Sequence, residues 1–224
     1  MTRSSPPRIV CFDLGGVVVR ICRSFEEATL AAGVPLRRVP ADENARSRQR
    51  HLIAQHQLGF LDGRSFLASL AEALDHVFTV DELGRIHRAI LRGEYPGIVE
   101  TIAAINALGI TTACLSNTND DHWDELVAMP ALRAMHALHA SHLWGLAKPD
   151  AAIYRRFEQD RLASGREILF FDDLDENVTA ALSLGWDAVR IDHTGDTAAQ
   201  VREALAARGV DLSAAATAPS SLPG

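Results

Sequence analysis

Four short apolar runs, each ending in a polar residue, constrain the fold more than any other feature of the chain. They are RIVCFD, ending at Asp13, ITTACLSN, ending near Asn117, EILFFDD, ending at Asp173, and DAVRID, ending at Asp192. Their apolar residues are mostly continuous rather than alternating, which is typical of strands buried on both faces of a parallel sheet. Helices are predicted between the later strands, over residues 98–108, 120–129, 151–162 and 176–184. This alternation predicts an α/β fold with a Rossmann-like, doubly wound, mostly parallel sheet.

The stretch after the first strand departs from this alternation, because it has helical periodicity and no strand candidate. Apolar residues recur at every fourth position of RSFLASLAEAL, and Thr79 with Glu82 forms a capping box ahead of a further helix. Its aromatic residues Phe60, Phe66 and Phe78 are expected to pack inside it rather than to contact substrate. We therefore expect a helical insertion at this point of the chain.

These patterns divide the chain into three parts. Residues 1–19 together with 93–213 are predicted to form the α/β core, and residues 20–92 are predicted to form a small helical-bundle cap. The segment 214–224, AAATAPSSLPG, is rich in small and turn-forming residues and is predicted to be a disordered tail.

Composition excludes several classes of partner. The chain of 224 residues has a formal net charge of −7 and no dense run of Lys or Arg, so no nucleic-acid or membrane-surface partner is expected. No apolar window reaches the roughly 18 residues of a membrane span, and no apolar targeting segment is visible at the start. The three cysteines lack framework spacing, which indicates buried thiols in a reducing compartment. A cytoplasmic protein is therefore predicted, whereas its oligomeric state cannot be predicted.

Chemically capable side chains lie at the predicted strand ends. In a parallel sheet these ends share one edge, so a crevice should collect Asp13, Ser116, Lys148, Asp172 and Asp173. Three carboxylates within about 4 to 5 Å would repel one another by several kcal/mol, and Mg²⁺ with its preference for oxygen ligands would neutralise them. An aspartate beside a lysine and a cation can attack phosphorus and form an aspartyl-phosphate. Backbone amides of the glycine turn, with Gly16 in it, would complete a phosphate cradle.

Four segments, FDLGGVVV, CLSNTND, LAKPD and LFFDDLDEN, resemble in order the four motifs of the haloacid dehalogenase-like (HAD) superfamily. The similarity is to its phosphatase-like branch, with a helical cap inserted after the first strand, and it covers nearly the whole chain. The resemblance implies Asp13 as nucleophile, Ser116 and Asn117 as phosphate ligands, and Lys148 as the group that orients both. It also implies Mg²⁺ as cofactor, held by Asp13, Asp172, Asp173 and the backbone carbonyl of Gly15.

Gly15 departs from the pattern of the superfamily. Most of its phosphatases have a second aspartate there, which protonates the leaving oxygen and then activates water. General acid–base help contributes roughly 10² to 10⁴ in rate, so its absence should lower turnover without removing the nucleophile or the metal. A cap residue, a water or the substrate would have to supply the proton, and His122 is considered for this role but not favoured.

The sequence thus predicts a Mg²⁺-dependent phosphatase of a small phosphorylated metabolite. One alternative is a catalytically impaired protein that binds a phosphorylated ligand, which Gly15 favours. A metal-independent haloacid dehalogenase is a weaker alternative, because the pair Asp172 and Asp173 would then have no cation. The spacing of His136, His139 and His142 resembles a metal site, but on a strand and loop these side chains would not share a face, so zinc is not predicted there.

Overall fold

The computed structural model describes residues 6–212, and the predicted tail at 214–224 lies outside these residues. The strands are β1 (Ile9–Phe12), β2 (Val19–Ile21), β3 (Leu91–Glu94), β4 (Thr111–Ser116), β5 (Ala137–Ala140), β6 (Ile168–Asp172) and β7 (Asp187–Arg190). The helices are α1 (Phe25–Ala31), α2 (Glu43–Gln57), α3 (Gly63–Ala73), α4 (Val80–Arg88), α5 (Ile98–Ala107), α6 (Asp120–Leu126), α7 (Pro130–Ala134), α8 (Ser141–Trp144), α9 (Ala151–Arg161), α10 (Asp175–Ser183) and α11 (Thr197–Ala206).

The predicted parallel sheet is confirmed. Five strands lie in the order β5-β4-β1-β6-β7, and every neighbouring pair in this sheet is parallel. The central strand β1 pairs with β4 on one side and β6 on the other, so the carboxyl ends of these three strands lie side by side. Strand β5 supplies a fifth member at the edge, within a segment for which the sequence indicated a short strand and loop.

Both faces of the sheet are covered by helices, which explains the continuous apolar runs. In β1, Val10 and Phe12 pack in a core cluster with α5 and α11, while Ile9 and Cys11 pack on the other face with α9 and α10. Side chains of a strand alternate between faces, so a strand between two helical layers needs apolar residues at every position. The three cysteines are buried and form no disulfide, as expected.

The helices α1 to α4 lie between β2 and β3 and have a hydrophobic cluster of their own. The capping box of Thr79 and Glu82 is confirmed at the start of α4. Phe66 and Phe78 are buried, but the expectation for Phe60 is wrong, since this side chain is 65% exposed. These helices are the ones assigned from the sequence to the cap of residues 20–92.

The sequence reading missed one pair of strands in this region. β2 and β3 form a separate two-stranded antiparallel sheet at the two ends of the helical insertion. The strands have only three and four residues and are mostly partly exposed, so neither has the apolar run by which strands were recognised.

Among residues 6–212, no helix has the length and the apolar character that crossing a membrane would need.

Candidate active site

Three predicted site residues lie at the adjacent strand ends. Asp13 directly follows β1, Ser116 ends β4 and Asp172 ends β6, so the parallel register brings them to one edge of the sheet. All three are buried, as are Lys148 and Asp173. Asp13, Lys148, Asp172 and Asp173 lie close together, and Ser116 lies at the end of the neighbouring strand.

Lys148 lies between two of the carboxylates. Its Nζ is 2.8 Å from Asp13 Oδ1 and 2.6 Å from Asp172 Oδ2, and its side chain is 1% exposed. It is also the only lysine among the 22 Lys and Arg residues of the chain. A buried ammonium that bridges two carboxylates is costly to remove, because its removal leaves uncompensated charge in the interior.

The electrostatics of this group follow from burial and mutual attraction. Burial raises the pKa of Asp13 from its ordinary value to about 6, although the Lys148 ammonium counteracts part of this shift. Burial alone would lower the pKa of Lys148, but Asp13 and Asp172 outweigh it and raise that pKa. Lys148 therefore remains a cation, and Asp13 is ionised above about pH 6.

Asp172 is fixed by further hydrogen bonds. The Leu174 amide donates to its Oδ1 at 2.9 Å, and Asn177 Nδ2 lies 3.0 Å from each of its oxygens. The Tyr154 hydroxyl in turn donates to the Asn177 carbonyl at 3.0 Å. Sequence reasoning missed Asn177, although its place five residues after Asp172, on the first turn of α10, could have indicated it.

Asp173 has a different partner. Arg23, which precedes α1, donates from Nη1 to Asp173 Oδ2 at 2.7 Å. Both side chains crowd Gly16, where a Cβ atom would clash with the Arg23 guanidinium and with the Asp173 carboxylate, and where φ is +88°. A glycine is thus required at this position. Arg23 was also missed, because its contact joins residues 150 positions apart.

The two residues at the end of β4 differ in their partners. The Ser116 hydroxyl makes no hydrogen bond within residues 6–212, so it is available to a ligand. The Asn117 side chain instead holds the backbone of Lys148: its Nδ2 donates to the Lys148 carbonyl at 2.8 Å, and its Oδ1 accepts from the Lys148 amide at 2.9 Å. Its predicted phosphate contact stays a prediction and would have to use its backbone amide.

The turn after β1 leaves two amides unused. The Gly16 amide, a predicted phosphate donor, already donates to the Val19 carbonyl at 2.8 Å. Leu14 and Gly15 are the turn residues whose amides donate no hydrogen bond within residues 6–212. A Cβ atom on Gly15 would lie 3.0 Å from Cδ1 of Ile21, the mobile tip of a flexible side chain. The backbone conformation at position 15 therefore does not require a glycine.

The carboxylates fit a divalent cation. Single oxygen atoms of Asp13, Asp172 and Asp173 lie within 4.8 Å of one another, and all three residues are buried. Mg²⁺ accepts carboxylate and carbonyl oxygens and keeps several waters, so this donor set suits it. These are the residues that the sequence predicted as its ligands.

A cavity of about 370 Å³ lies between this edge and the helical insertion. Gly15, Ser116 and Asn117 line its polar end, whereas the helical side is mainly apolar, with Phe25, Phe66, Leu70, Leu74 and Leu83. Ligand sites commonly combine an apolar wall with a few convergent polar groups. The cavity can therefore hold an organic group next to the turn that follows Asp13, although the Asp13 side chain does not itself line it.

Three of the histidines singled out in the sequence have hydrogen-bond partners, whereas Nδ1 of the fourth, His142, is buried without one within residues 6–212. His139 lies 2.8 Å from Asp160, and His136 contacts Thr112 at 3.2 Å, so they do not share a site. His122 Nε2 lies 2.9 Å from the His87 carbonyl, and burial lowers the pKa of His122. A neutral imidazole whose N–H is committed to a carbonyl is poorly suited to protonate a leaving group.

Comparison with known proteins identifies the family of this chain. A family model described as haloacid dehalogenase-like hydrolase matches residues 7–185. Among curated proteins, acyl-CoA dehydrogenase family member 10 of Mus musculus is 26% identical over 208 residues. The match covers 88% of this chain but only 19% of that protein, so the chain spans about a fifth of the length of this relative.

Solved structures share the fold. The HAD family enzyme bt-2542 of Bacteroides thetaiotaomicron has a TM-score of 0.74 at 18% identity, with 88% of this chain and 100% of that chain covered. Its complex with magnesium and inorganic phosphate has a TM-score of 0.68 at 16% identity, covering 85% and 96%. L-2-haloacid dehalogenase of Xanthobacter autotrophicus, with chloropropionic acid covalently bound, has a TM-score of 0.60 at 20% identity, covering 88% and 82%.

Proposed function

The chain belongs to the haloacid dehalogenase-like hydrolases, and from this premise we propose that it is a Mg²⁺-dependent phosphatase of a small phosphorylated metabolite. One observation carries the proposal: the buried Lys148 ammonium bridges Asp13 and Asp172, and Asp173 completes a set of three carboxylates. This set suits a nucleophile, a positioning cation and a hard metal ion in one place. The bt-2542 complex with magnesium and inorganic phosphate supports the same chemistry in a protein of the same fold.

In the proposed reaction Asp13 is the nucleophile. Its Oδ attacks the phosphorus of a phosphate monoester, and the bond from phosphorus to the ester oxygen breaks as the aspartyl-phosphate forms. The leaving oxygen takes up a proton and departs as an alcohol. Water then attacks the phosphorus of the phospho-aspartate, releases inorganic phosphate and restores the Asp13 carboxylate.

The other residues bind and orient. Lys148, held in place by Asn117, keeps Asp13 directed toward the crevice and offers positive charge to the phosphoryl group. The Ser116 hydroxyl and the free amides of Leu14 and Gly15 would bind phosphoryl oxygens. Mg²⁺ would be held by Asp13, Asp172, Asp173 and the Gly15 carbonyl, and when bound it supplies charge neutralisation for the phosphoryl group.

The missing proton donor predicts which substrates react. Gly15 offers no side chain and His122 is committed elsewhere, so the leaving oxygen must obtain its proton from a cap residue, from water or from the substrate. Substrates whose leaving groups are acidic need this proton least. We expect aryl phosphates to be hydrolysed faster than sugar phosphates, and the apolar wall of the cavity favours the same substrates.

The cap of residues 20–92 is proposed to close over the crevice and to select the substrate. Its helices supply the apolar wall of the cavity, and Arg23 brings a cation from the start of this segment to Asp173. Closure would exclude water from the phosphoryl group and strengthen the electrostatic contacts there.

The test is phosphate release from p-nitrophenyl phosphate, other aryl phosphates, sugar phosphates and nucleotides, with Mg²⁺ and with chelator. Release should need Mg²⁺, and Asp13→Asn should abolish it. Asp175→Asn is the matched control, because this neighbouring carboxylate is 77% exposed and pairs with Arg190 at the surface. Release that is unchanged in Asp13→Asn would refute the assignment.

Gly15 favours a second candidate, a protein that binds a phosphorylated ligand without turnover. Gly15→Asp separates the two, since the added Cβ atom needs only a small shift of Ile21. In a phosphatase that lacks its general acid, this variant should raise the rate for poor leaving groups about 10²-fold or more and flatten the dependence on leaving-group pKa. Mg²⁺-dependent vanadate binding with no release in either form would favour the binding protein, and halide release in chelator would favour a dehalogenase.

A further inference from the structure

A second cluster of ligand-type side chains lies at the junction of the helical insertion and the core. It consists of His56 at the end of α2, His87 near the end of α4 and Asp121 on the first turn of α6. One ligand atom from each lies within 4.8 Å of the other two. His56 and His87 also line the cavity between the strand ends and the helical insertion, yet none of the three has a role in the proposed reaction.

Two buried nitrogens in this cluster have no hydrogen-bond partner in the described part of the chain. Nε2 of His56 and Nε2 of His87 neither donate nor accept a hydrogen bond within residues 6–212, and the His56 side chain is 1% exposed. His56 Nδ1 lies 2.8 Å from the Leu61 carbonyl, so it carries the proton, and Nε2 is left with a lone pair. Metal-binding histidines are fixed in this way, by a carbonyl that accepts from the other ring nitrogen.

The third group, Asp121, approaches both of these nitrogens without bonding to them. Asp121 Oδ2 is 3.6 Å from His56 Nε2 and 3.9 Å from His87 Nε2. These separations exceed a hydrogen bond, and they are close to the about 3.4 Å between two ligands of a tetrahedral ion with bonds near 2.1 Å. Gly63 permits the arrangement, because a Cβ atom there would clash with the Asp121 carboxylate.

We propose that His56, His87 and Asp121 bind a zinc-class divalent cation that joins the helical insertion to the core. Two imidazoles and one carboxylate suit Zn²⁺ or Co²⁺, whereas the all-oxygen set around Asp13 suits Mg²⁺. The Asp121 side chain is 41% exposed, which gives the ion a path of entry and leaves a position for water. His122 is not a ligand, because its ring stacks on His87 and its Nε2 meets the His87 carbonyl.

The proposal is tested by titrating the full chain with Zn²⁺ in the presence of saturating Mg²⁺. Calorimetry should show one Zn²⁺ site, Co²⁺ should give the visible absorption of a site with nitrogen ligands, and Zn²⁺ should raise the melting temperature. Loss of a residue that hydrogen-bonds to a metal ligand lowers metal affinity about 10- to 100-fold. Loss of a ligand itself should therefore lower Zn²⁺ affinity by at least about 100-fold. The variants are His56→Gln, His87→Gln and Asp121→Asn.

Two matched controls keep the same residue types on the same helices. His51→Gln on α2 and Asp124→Asn on α6 change exposed residues and should leave Zn²⁺ binding unchanged. Because the histidines are buried and their replacement can impair folding, Asp121→Asn decides the outcome: it is exposed and isosteric. Absence of a Zn²⁺ site in the wild-type chain, or Zn²⁺ binding that survives Asp121→Asn unchanged, would overturn the proposal. Because Zn²⁺ binding is measured without substrate, its result does not depend on whether the proposed phosphatase reaction occurs.

Discussion

Replacing Lys148 with methionine tests the charge balance of the site directly. Methionine has a similar volume but no charge, so Asp13 and Asp172 lose the ammonium that lies 2.8 and 2.6 Å from them. Removing one partner of a buried ion pair costs about 3 to 5 kcal/mol, because the remaining charge stays desolvated. In a chain of this size each kcal/mol lowers the melting temperature by about 2 to 4 °C, so a loss of roughly 6 to 20 °C is expected.

The assay is thermal unfolding at pH 8 in chelator, followed by circular dichroism, and then again with Mg²⁺. Mg²⁺ should stabilise Lys148→Met more than the wild type, since the ion then meets the carboxylates without a competing ammonium. The loss should also shrink at pH 6, because Asp13, whose pKa is already raised to about 6, can take up a proton instead.

Arg8→Met is the matched control. Arg8 pairs with Glu167 at 2.7 Å, but both side chains are largely exposed, at 59% and 41%. An exposed pair contributes about 1 kcal/mol or less, so this variant should melt within a few degrees of the wild type. If Lys148→Met melts no lower than Arg8→Met, and Mg²⁺ affects both alike, the reasoning about a buried charge bridge is refuted.

Three further measurements follow from the same site. Burial raises the pKa of Asp13 from 3.8 to about 6, so the folded state binds the Asp13 proton more tightly than the unfolded state does. The resulting stabilisation is complete below pH 3.8 and is lost as the pH rises through 6. In chelator, the unfolding free energy of the wild type relative to that of Asp13→Asn should therefore fall from about pH 4 to about pH 7. Arg23→Gln should tighten Mg²⁺ binding about 5-fold in calorimetry, since Arg23 competes for Asp173 but is partly exposed; weaker binding would contradict this. Because Lys148 is the only lysine, ¹⁵N-lysine labelling should give one side-chain ammonium signal, which Mg²⁺ should shift.

Local patterns were sufficient to predict the sheet and the polar ends of its strands. Each buried strand has a continuous apolar run, and a carboxylate or hydroxyl at its end is unambiguous in the sequence. The capping box at Thr79 is equally local, because its partners are three residues apart. These features depend on neighbours along the chain, and the sequence displays such neighbours directly.

The features that sequence reasoning missed depend on contacts between distant segments. Arg23 meets Asp173 across 150 positions, and Asn117 holds the Lys148 backbone across 31. The cluster of His56, His87 and Asp121 likewise assembles only when α2, α4 and α6 meet. Sequence periodicity does not predict such contacts. A single arginine or histidine in a helical stretch is indistinguishable in the sequence from a solvent-exposed residue.

The charges of the site predict that the proposed metal ion and a phosphate ligand bind cooperatively. Three buried or nearly buried carboxylates face two cationic side chains, Lys148 and Arg23, which leaves one net negative charge when all are ionised. A phosphate dianion added to this group would meet net repulsion, which a divalent cation reverses. Removing Mg²⁺ with a chelator should therefore weaken the binding of phosphate or vanadate itself, and not merely slow the hydrolysis of a phosphate ester. By thermodynamic linkage phosphate should tighten Mg²⁺ binding by the same factor, and two calorimetric titrations measure both sides of that equality.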